Sequence, residues 1–322
     1  MKIFVSRPIP EVGIKLLKEK GFEVAINTEA KDRAATKDEI LAGVKDADAI
    51  LSILTDKIDA DIMDAGLPTL KIIANYAVGF DNIAIEDAKK RNIMVTNTPG
   101  VLTETVAEHT FALLLSIAHR IAEADKFARE GKYKAWGPEL LLGTNISGKT
   151  LGIIGLGRIG SRVAHHAVRG FDMKIIYTDP KPNHDFEKEY GAVYADSIDN
   201  LLPQCDFVSI HVPMTNENRH LMNGERLKKM KTTAYLINTS RGPIVDERAL
   251  AVALKEGIIA GAALDVFEFE PEISPELKEL NNVIMTPHIA SATLETRSKM
   301  AEIAAINIIA ALEGRTPPNL IK

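Results

Sequence analysis

The stretch Leu151-Gly152-Ile153-Ile154-Gly155-Leu156-Gly157-Arg158-Ile159-Gly160 decides how this chain folds. Residues 151–154 form an apolar run typical of a buried strand, and the pattern becomes helical over 158–168. Between the two lies Gly-x-Gly-x-x-Gly. The order of strand, glycine turn and helix is the one that a dinucleotide pyrophosphate site requires.

The three glycines of this turn have separate roles. Gly155 allows the tight turn, Gly157 lets the backbone approach a phosphate, and Gly160 lets the helix pack close to the strand. The unpaired N–H groups of the first helical turn, at the positive end of the helix dipole, would bind the anion. The turn therefore predicts coenzyme contacts at Gly155, Gly157, Arg158, Ile159 and Gly160.

An acidic residue follows the next predicted strand. That strand, 173–177, ends just before Asp179, which lies 179 − 160 = 19 residues after Gly160. An acidic residue at this distance hydrogen-bonds the adenosine ribose hydroxyls. A carboxylate would also repel a 2′-phosphate, so the sequence predicts NAD as the cofactor. Lys181, two residues further on, leaves use of NADP open.

Composition limits the classes of protein and ligand. The 322 residues are enough for about two domains. The net charge of 39 − 44 = −5 gives no basic excess, so nucleic acid is not expected as a ligand. Cys205 is the only cysteine, which indicates a reducing compartment and predicts a packing role. No apolar run approaches ~18 residues and no signal peptide is visible, so we expect a cytoplasmic protein without membrane contact.

Two regions alternate strand and helix patterns, which predicts parallel sheets. The first has predicted strands at 2–6, 23–26, 49–53, 70–74 and 94–96 and helices at 11–20, 37–44, 60–65 and 84–90. The second has predicted strands at 150–154, 173–177, 207–211, 234–238, 259–264 and 283–285. The expected fold class is α/β, with two Rossmann-like or flavodoxin-like domains.

A long helix, from Leu102 to about Ala128, is predicted between the two regions. It is apolar over most of its circumference, so we expect it to be buried between domains or at a subunit contact. The loop after it contains Trp136, the only tryptophan. We favour packing within the loop for this side chain, slightly ahead of a role in covering the substrate.

A last helix, at about 292–312, comes too late to belong to the second sheet. We expect it to pack on the first domain, which makes that domain discontinuous. The predicted domains are a substrate domain at 1–99 plus 289–322 and an NAD-binding Rossmann domain at 100–288. Hinges are expected near Pro99 and Pro287.

Three polar residues follow the last three predicted strands, namely Arg241, Glu270 and His288. Ligands of open α/β sheets bind outside the carboxyl ends of the strands. An Arg holds a carboxylate with a planar fork, a His supplies a proton near neutral pH, and a Glu orients the imidazole. Singly, each residue fits a surface ion pair, a loop charge or a packing histidine. Together, beside a nicotinamide site, they predict oxo-acid reduction. The other histidines have no metal-ligand spacing, so no metal is expected.

The chain resembles the D-2-hydroxyacid dehydrogenases over essentially its whole length. The resemblance rests on Asn75-Tyr76-Ala77-Val78-Gly79-Phe80-Asp81-Asn82, Asn97-Thr98-Pro99-Gly100, the 155–160 turn, Asn238-Thr239-Ser240-Arg241-Gly242, Ala263-Leu264-Asp265-Val266-Phe267-Glu268 and Thr286-Pro287-His288-Ile289-Ala290. It implies that Arg241 binds the substrate carboxylate, that His288 is the acid/base and that Glu270 is its partner. It also implies an active site in the cleft between the domains.

The candidate binding residues extend beyond these three. The remaining coenzyme candidates are Thr105, Val212, Pro213, Thr239, Ser240 and Asp265, together with Arg241 and His288 themselves. By resemblance, Asp265 holds the nicotinamide carboxamide. The substrate candidates are Leu54, Tyr76, Val78 and Gly79, with Arg241 and His288. The family implies a homodimer joined through the coenzyme domain and the long helix.

Within the family, the chain is most similar to the glyoxylate and hydroxypyruvate reductases, which share an Asn-Tyr-Ala-Val-Gly stretch. Several of those use NADP and have a basic or polar residue where this chain has Asp179. The predicted reaction transfers a hydride from NADH to a small 2-oxo acid and gives the D-2-hydroxy acid.

Four relatives of other function are weighed against this prediction. Phosphite dehydrogenases are similar but have Lys at the position of Val78, and formate dehydrogenases have an amide at that of Glu270. Phosphoglycerate dehydrogenases often have a C-terminal regulatory domain, which we do not expect in this chain, although short forms without that domain exist. A phosphoglycerate or phosphite dehydrogenase, and a non-catalytic NAD-sensing protein like the corepressors of this family, remain the alternatives.

Overall fold

The structure is a computed structural model that describes residues Met1–Ile321. It contains two compact units, one formed by Met1–Leu102 with the described chain from Ala292 onward and the other by Thr103–Ser291. Each unit has one parallel β-sheet and several helices. The predicted α/β class is therefore confirmed.

The secondary structure is as follows. The strands are β1 (Lys2–Val5), β2 (Glu23–Ile26), β3 (Ala49–Ile53), β4 (Ile72–Tyr76), β5 (Met94–Thr96), β6 (Thr150–Ile154), β7 (Lys174–Thr178), β8 (Val193–Tyr194), β9 (Phe207–Ile210), β10 (Tyr235–Asn238), β11 (Gly261–Leu264) and β12 (Val283–Met285). The helices are α1 (Glu11–Glu19), α2 (Lys37–Val44), α3 (Ala60–Gly66), α4 (Ile85–Lys90), α5 (Thr103–Ala118), α6 (Ile121–Arg129), α7 (Arg158–Phe171), α8 (His184–Tyr190), α9 (Ile198–Leu201), α10 (Gly224–Leu227), α11 (Glu247–Lys255), α12 (Pro275–Lys278) and α13 (Leu294–Leu312).

The first unit has a five-stranded sheet in the order β2-β1-β3-β4-β5. Its core includes Phe4, Ile50 and Ile73, which are buried side chains from three neighbouring strands. Helix α13 packs against α1 and β4. Helices α1 and α13 approach so closely at Gly13 that a Cβ there would lie only 2.6 Å from the Ala301 carbonyl oxygen, so the contact requires a glycine.

The second unit has a seven-stranded sheet in the order β12-β11-β10-β9-β6-β7-β8, with every pair parallel. The six strands that the sequence predicts are present, with ends shifted by up to two residues. The seventh strand, β8, has only two residues and lies at the sheet edge with Val193 exposed, so no apolar run in the sequence indicates it. The order reverses between β6 and β9, so the loops after these strands lie at a ligand-binding switch point.

The long helix predicted over 102–128 is wrong as one element. Helix α5 ends at Ala118, and Arg120 has a left-handed backbone with φ +54° before α6 begins. The Ala118 carbonyl accepts a hydrogen bond from Thr144 N at 2.8 Å, which ends the helix through a residue distant in sequence. Helix α5 buries Phe111 and Leu114, whereas α6 has no buried residue. The expected burial therefore holds for α5 alone.

Two other expectations about single side chains have opposite outcomes. Trp136 is 80% exposed, so packing within its loop is wrong. Cys205 is fully buried and its thiol donates to the Leu201 carbonyl at 3.2 Å, which confirms the packing role. Burial raises the pKa of this thiol to about 12.

Within Met1–Ile321, no helix combines the length and the apolar character needed to cross a membrane.

Candidate functional site

The glycine turn joins β6 to α7. Gly155 has φ +95°, a conformation that side chains strongly disfavour. A Cβ at Gly160 would overlap the Gly155 carbonyl oxygen, whereas a Cβ at Gly157 would meet nothing within 4 Å. The packing of the turn thus requires Gly160, while Gly157 leaves open space in front of the helix. Arg158 and Ile159 lie in the first turn of α7.

Asp179 follows β7, the neighbour of β6, and is tied directly to the glycine turn. Its Oδ2 accepts a hydrogen bond from Leu156 N at 2.7 Å. A cavity of about 540 Å³ opens beside this contact and is lined by Leu156, Asp179, Lys181, Pro182, Asn183, His184 and Asp185. The same cavity is therefore lined by Asp179, the predicted ribose ligand, and by Lys181, the residue that left use of NADP open.

Residues after β9 contact the same turn. A Cβ at Gly155 would lie 2.9 Å from both the backbone of His211 and Cγ1 of Val212. Only a glycine allows this approach of the two loops. Pro213 follows directly and is exposed. The switch point therefore brings together Gly155, Val212 and Pro213, all three of them coenzyme candidates.

The glycine turn and the start of α7 offer the hydrogen-bond donors and the open space that a dinucleotide needs. A glycine turn with open space at Gly157 precedes a helix of 14 residues, and the carboxylate of Asp179 stands at the end of the next strand. Backbone N–H groups at such a helix start bind phosphate groups. Thr105 lies in the first turn of α5, in the same unit.

Arg241 follows β10 in a turn that Asn238 organises. Asn238 Oδ1 accepts from the backbone N–H and the hydroxyl of Ser240, at 3.0 and 2.9 Å. Its Nδ2 donates to the Arg241 carbonyl at 2.9 Å, and the Thr239 hydroxyl lies 2.9 Å from that of Thr110 on α5. Neither Asn238 nor Thr110 has a predicted role, although Asn238 lies in one of the quoted motifs.

Glu270 and His288 form a hydrogen-bonded pair. His288 Nδ1 lies 2.8 Å from Glu270 Oε2, and Glu270 Oε1 accepts from Phe267 N at 3.0 Å. Because β10, β11 and β12 are neighbours, the loops that carry Arg241, Glu270 and His288 follow adjacent strands at one sheet edge. A carboxylate on Nδ1 fixes the ring and leaves Nε2 as the nitrogen that can exchange a proton with a substrate.

Asp265 is completely buried and holds the loop of His288. Its Oδ1 accepts from the Thr286 hydroxyl at 2.7 Å and from Ile289 N at 2.8 Å, while Oδ2 accepts from Ala290 N at 2.8 Å. Burial raises the pKa of this carboxyl, but these hydrogen bonds and one from His109 outweigh burial and hold it below its usual value. The side chain that the resemblance assigns to the carboxamide thus also shapes the acid/base loop.

Glu247, another residue without a predicted role, fixes the loop of Glu270. It is buried at the start of α11, where Oε2 accepts from Glu268 N and Oε1 from Ser274 N, both at 2.8 Å. One carboxylate therefore fastens both ends of the segment 268–274. No signal in the sequence distinguishes Glu247, because acidic residues are common in the first turn of a helix and its burial is visible only in the structure.

The remaining substrate candidates lie in the first unit. Leu54 follows β3, and Tyr76 ends the neighbouring strand β4, two residues before Val78 and three before Gly79. Tyr76 is buried, and its hydroxyl donates to the Arg297 carbonyl at 2.6 Å. Burial raises the pKa of Tyr76 to about 12.

No cluster of three or more potential metal-ligating side chains occurs among the described residues.

Comparison with known proteins relates this geometry to a family. Residues 111–290 match the model of the D-isomer specific 2-hydroxyacid dehydrogenase NAD binding domain. The chain belongs to the D-isomer specific 2-hydroxyacid dehydrogenase family. It is 53% identical to a glyoxylate reductase of Korarchaeum cryptofilum over 99% of this chain and 95% of the relative.

Two solved structures are similar to this chain over nearly its whole length. The D-lactate dehydrogenase of Aquifex aeolicus, complexed with NAD and lactic acid, has a TM-score of 0.86 and 33% identity, with 100% of this chain and 99% of that chain covered. The NADPH-dependent glyoxylate/hydroxypyruvate reductase of Sinorhizobium meliloti has a TM-score of 0.85 and 32% identity, covering 99% and 97%. The predicted family, the oxidoreductase class and the NAD-binding domain of this dehydrogenase are thus confirmed.

Proposed function

We propose that this dehydrogenase reduces a small 2-oxo acid, glyoxylate or hydroxypyruvate, to the D-2-hydroxy acid with NADH. The observation that carries the proposal is the pair of His288 Nδ1 and Glu270 Oε2 at 2.8 Å, on loops adjacent to that of Arg241. The glyoxylate reductase names of the relatives at about half identity support the substrate class.

The roles of the residues follow from their donors and charges. Arg241 binds the substrate carboxylate, and the backbone amides of Val78 and Gly79 bind it as well. His288, protonated at Nε2, donates its proton to the carbonyl oxygen, and Glu270 keeps the ring oriented and stabilises its charge. Arg241 and His288 also stabilise negative charge that develops on that oxygen.

The coenzyme is assigned to the second unit. The backbone at Gly155, Gly157, Arg158, Ile159 and Gly160 holds the pyrophosphate, and Asp179 holds the adenosine ribose. The remaining proposed coenzyme contacts are Thr105, Val212, Pro213, Thr239, Ser240, Arg241, Asp265 and His288. When bound, NADH supplies the hydride. Asp179 favours NADH over NADPH because its charge opposes a 2′-phosphate.

The proposed domain roles follow the same division. Residues 1–99 and 289–322 form the substrate domain, with Leu54, Tyr76, Val78 and Gly79, and residues 100–288 form the coenzyme domain. We also propose a cytoplasmic homodimer. The family resemblance supports the dimer, and the single buried cysteine supports a reducing compartment.

Initial rates with a panel of substrates test this function. The panel contains glyoxylate, hydroxypyruvate, pyruvate, phosphohydroxypyruvate and, in the oxidising direction, phosphite, each with both coenzymes. We expect the highest kcat/KM with glyoxylate or hydroxypyruvate and NADH. A preference for phosphohydroxypyruvate or phosphite would instead identify one of the two enzyme alternatives. Tight NADH binding without turnover on any substrate would favour the corepressor-like alternative.

A further inference from the structure

Three successive carbonyl groups between β4 and the following loop are held by hydrogen bonds. The Ala77 carbonyl accepts from Thr98 N at 2.8 Å, and the Val78 carbonyl accepts from Asn97 Nδ2 at 2.7 Å. The Gly79 carbonyl accepts from Asn75 Nδ2 at 2.9 Å. Two of the three donors are side-chain amides, so they depend on the identity of the residue and not on the backbone alone.

Because each peptide unit is planar, a hydrogen bond that holds its carbonyl group also fixes the direction of its N–H group. In a trans peptide the C=O and the N–H of the same unit point in opposite directions. The N–H of Val78 therefore points away from Thr98, that of Gly79 away from Asn97, and that of Phe80 away from Asn75. None of these three N–H groups donates to an acceptor among the residues that the structure describes. Val78 and Gly79 are partly exposed and Phe80 is exposed, so the loop presents a row of unused donors.

The two asparagine side chains are themselves fixed. Asn75 is completely buried, and its Oδ1 accepts from the Ser52 hydroxyl at 3.1 Å and from Asn82 Nδ2 at 3.3 Å. Asn82 Nδ2 in turn donates to the Ile53 and Asp56 carbonyls, at 3.1 and 2.9 Å. These contacts show that Asn75 presents its NH₂ group, and not its oxygen, to Gly79.

The backbone of Asn97 is held in the same way by the C-terminal part of the unit. Asn307 Nδ2 on α13 donates to the Asn97 carbonyl at 3.2 Å, and Asn97 N donates to the Asn319 carbonyl at 3.4 Å. Asn307 is completely buried, and its Oδ1 accepts from Asn319 N at 3.2 Å. The residue that orients the Val78 carbonyl is thus anchored on both of its backbone polar groups.

We propose that Asn75 and Asn97 are positioning residues for the recognition of the substrate carboxylate, an inference that rests on the proposed function. By holding the Val78 and Gly79 carbonyls, they turn the amide N–H groups of Gly79 and Phe80 towards the carboxylate and keep carbonyl oxygens away from it. Phe80 N–H thereby joins those of Val78 and Gly79 as a donor. The ligand class is a small carboxylate anion.

The test replaces the donor while keeping the shape. In Asn97→Asp, a carboxylate oxygen faces the Val78 carbonyl and repels it, so that peptide no longer holds its N–H towards the substrate. We expect the KM for glyoxylate to rise about 10- to 100-fold, the effect of losing a hydrogen bond to a charged group. The kcat should stay within about 3-fold and the Kd of NADH should be unchanged, because the loss concerns substrate binding alone.

Control variants separate positioning from general damage. Asn27→Asp makes the same charge change after β2, which β1 and β3 separate from β4, and should leave the KM unchanged. Asn97→Ala removes the donor without adding charge and should raise the KM as well, so the inference remains testable if Asn97→Asp does not fold. Thermal unfolding midpoints establish which variants are folded.

Binding of oxamate, an unreactive carboxylate, to the NADH complex makes the test independent of turnover. Calorimetry should show weaker oxamate binding to both Asn97 variants by the same factor as the rise in KM. Unchanged oxamate affinity in the folded variants would overturn the role of Asn97, and so would an equal loss of NADH affinity. A wild-type protein that binds oxamate but turns over no oxo acid would contradict the proposed function and leave this inference standing.

Discussion

His288 Nδ1 lies 2.8 Å from Glu270 Oε2, and the backbone of His288 is left-handed with φ +52°. A non-glycine residue adopts this conformation only where its surroundings stabilise it. Here the His288 N–H donates to the Asp265 carbonyl at 2.8 Å, and the Asp265 carboxylate accepts from the next two backbone N–H groups. The orientation of the imidazole is therefore fixed through both its ring and its backbone.

Replacement of either partner should reduce turnover and leave coenzyme binding intact. We expect His288→Ala to lower kcat about 10²- to 10⁴-fold, because a positioned acid contributes about that much. Glu270→Gln should lower kcat as well, since an amide cannot stabilise the protonated ring. Steady-state kinetics and NADH titration measure both effects. Glu272→Gln, an exposed glutamate two residues along, is the control; a kcat near wild type in His288→Ala would refute the assignment.

Two glycines of the coenzyme turn should respond differently to alanine. Gly157→Ala has free space for the methyl group, so the protein should fold with an unchanged unfolding midpoint but bind NADH weakly, because the methyl group occupies the space left for a phosphate. In Gly160→Ala the methyl group overlaps the Gly155 carbonyl oxygen, so both stability and NADH binding should fall. Differential scanning calorimetry and fluorescence titration distinguish the two. Normal NADH affinity in Gly157→Ala would place the pyrophosphate elsewhere.

The sequence predicted every strand of the two sheets except β8, and it predicted the residues at their carboxyl ends, because period and apolar runs are local. It missed the break between α5 and α6, since no Gly or Pro marks Arg120 and the cap comes from Thr144, which is distant in sequence. It missed the fastening roles of Asp265 and Glu247 for the same reason. Their partners are backbone N–H groups, which have no signature in the sequence.

Asp179 should decide coenzyme choice. The wild-type enzyme should have a higher kcat/KM with NADH than with NADPH. Asp179→Ser removes the carboxylate, and because Lys181 lines the same cavity, kcat/KM with NADPH should rise at least about 10-fold, which corresponds to 1.4 kcal/mol. Asp185→Asn, in the same cavity, controls for charge alone. A wild-type preference for NADPH would contradict the role of Asp179.

Glu247 should affect turnover from outside the reacting groups. In Glu247→Gln only one oxygen remains as an acceptor, so either Glu268 N or Ser274 N faces an NH₂ group and the segment with Glu270 loosens. Loss of such a buried hydrogen bond costs about 1 to 3 kcal/mol. We expect kcat to fall while the Kd of NADH stays constant. Glu256→Gln, exposed at the end of the same helix, should behave as wild type, and equal kinetics in both variants would exclude the fastening role.

His211 should make stability depend on pH. Burial lowers its pKa to about 3, whereas the unfolded residue takes up a proton near pH 6.5. Between these values the unfolded state binds more protons, so the free energy of unfolding falls as the pH drops below about 6.5. Wild type should lose about 1 to 2 kcal/mol more than His211→Gln between pH 7.5 and 5. Denaturant unfolding without coenzyme measures this; parallel slopes for the two proteins would show that His211 titrates normally.

The packing of α13 on α1 and β4 has a consequence for synthesis on the ribosome. The chain leaves the first unit at Leu102 and returns to it at Ala292, after the 189 residues of Thr103–Ser291. At about 5 to 20 residues per second, the ribosome needs about 10 to 40 s to make this insert. During that time α13, which carries Ala301, has not been made, so the surface around Gly13 is uncovered. The inserted unit, in contrast, already has all of its strands. The second unit can therefore fold first, and the nascent first unit exposes an uncovered apolar face to chaperones until the last helix emerges.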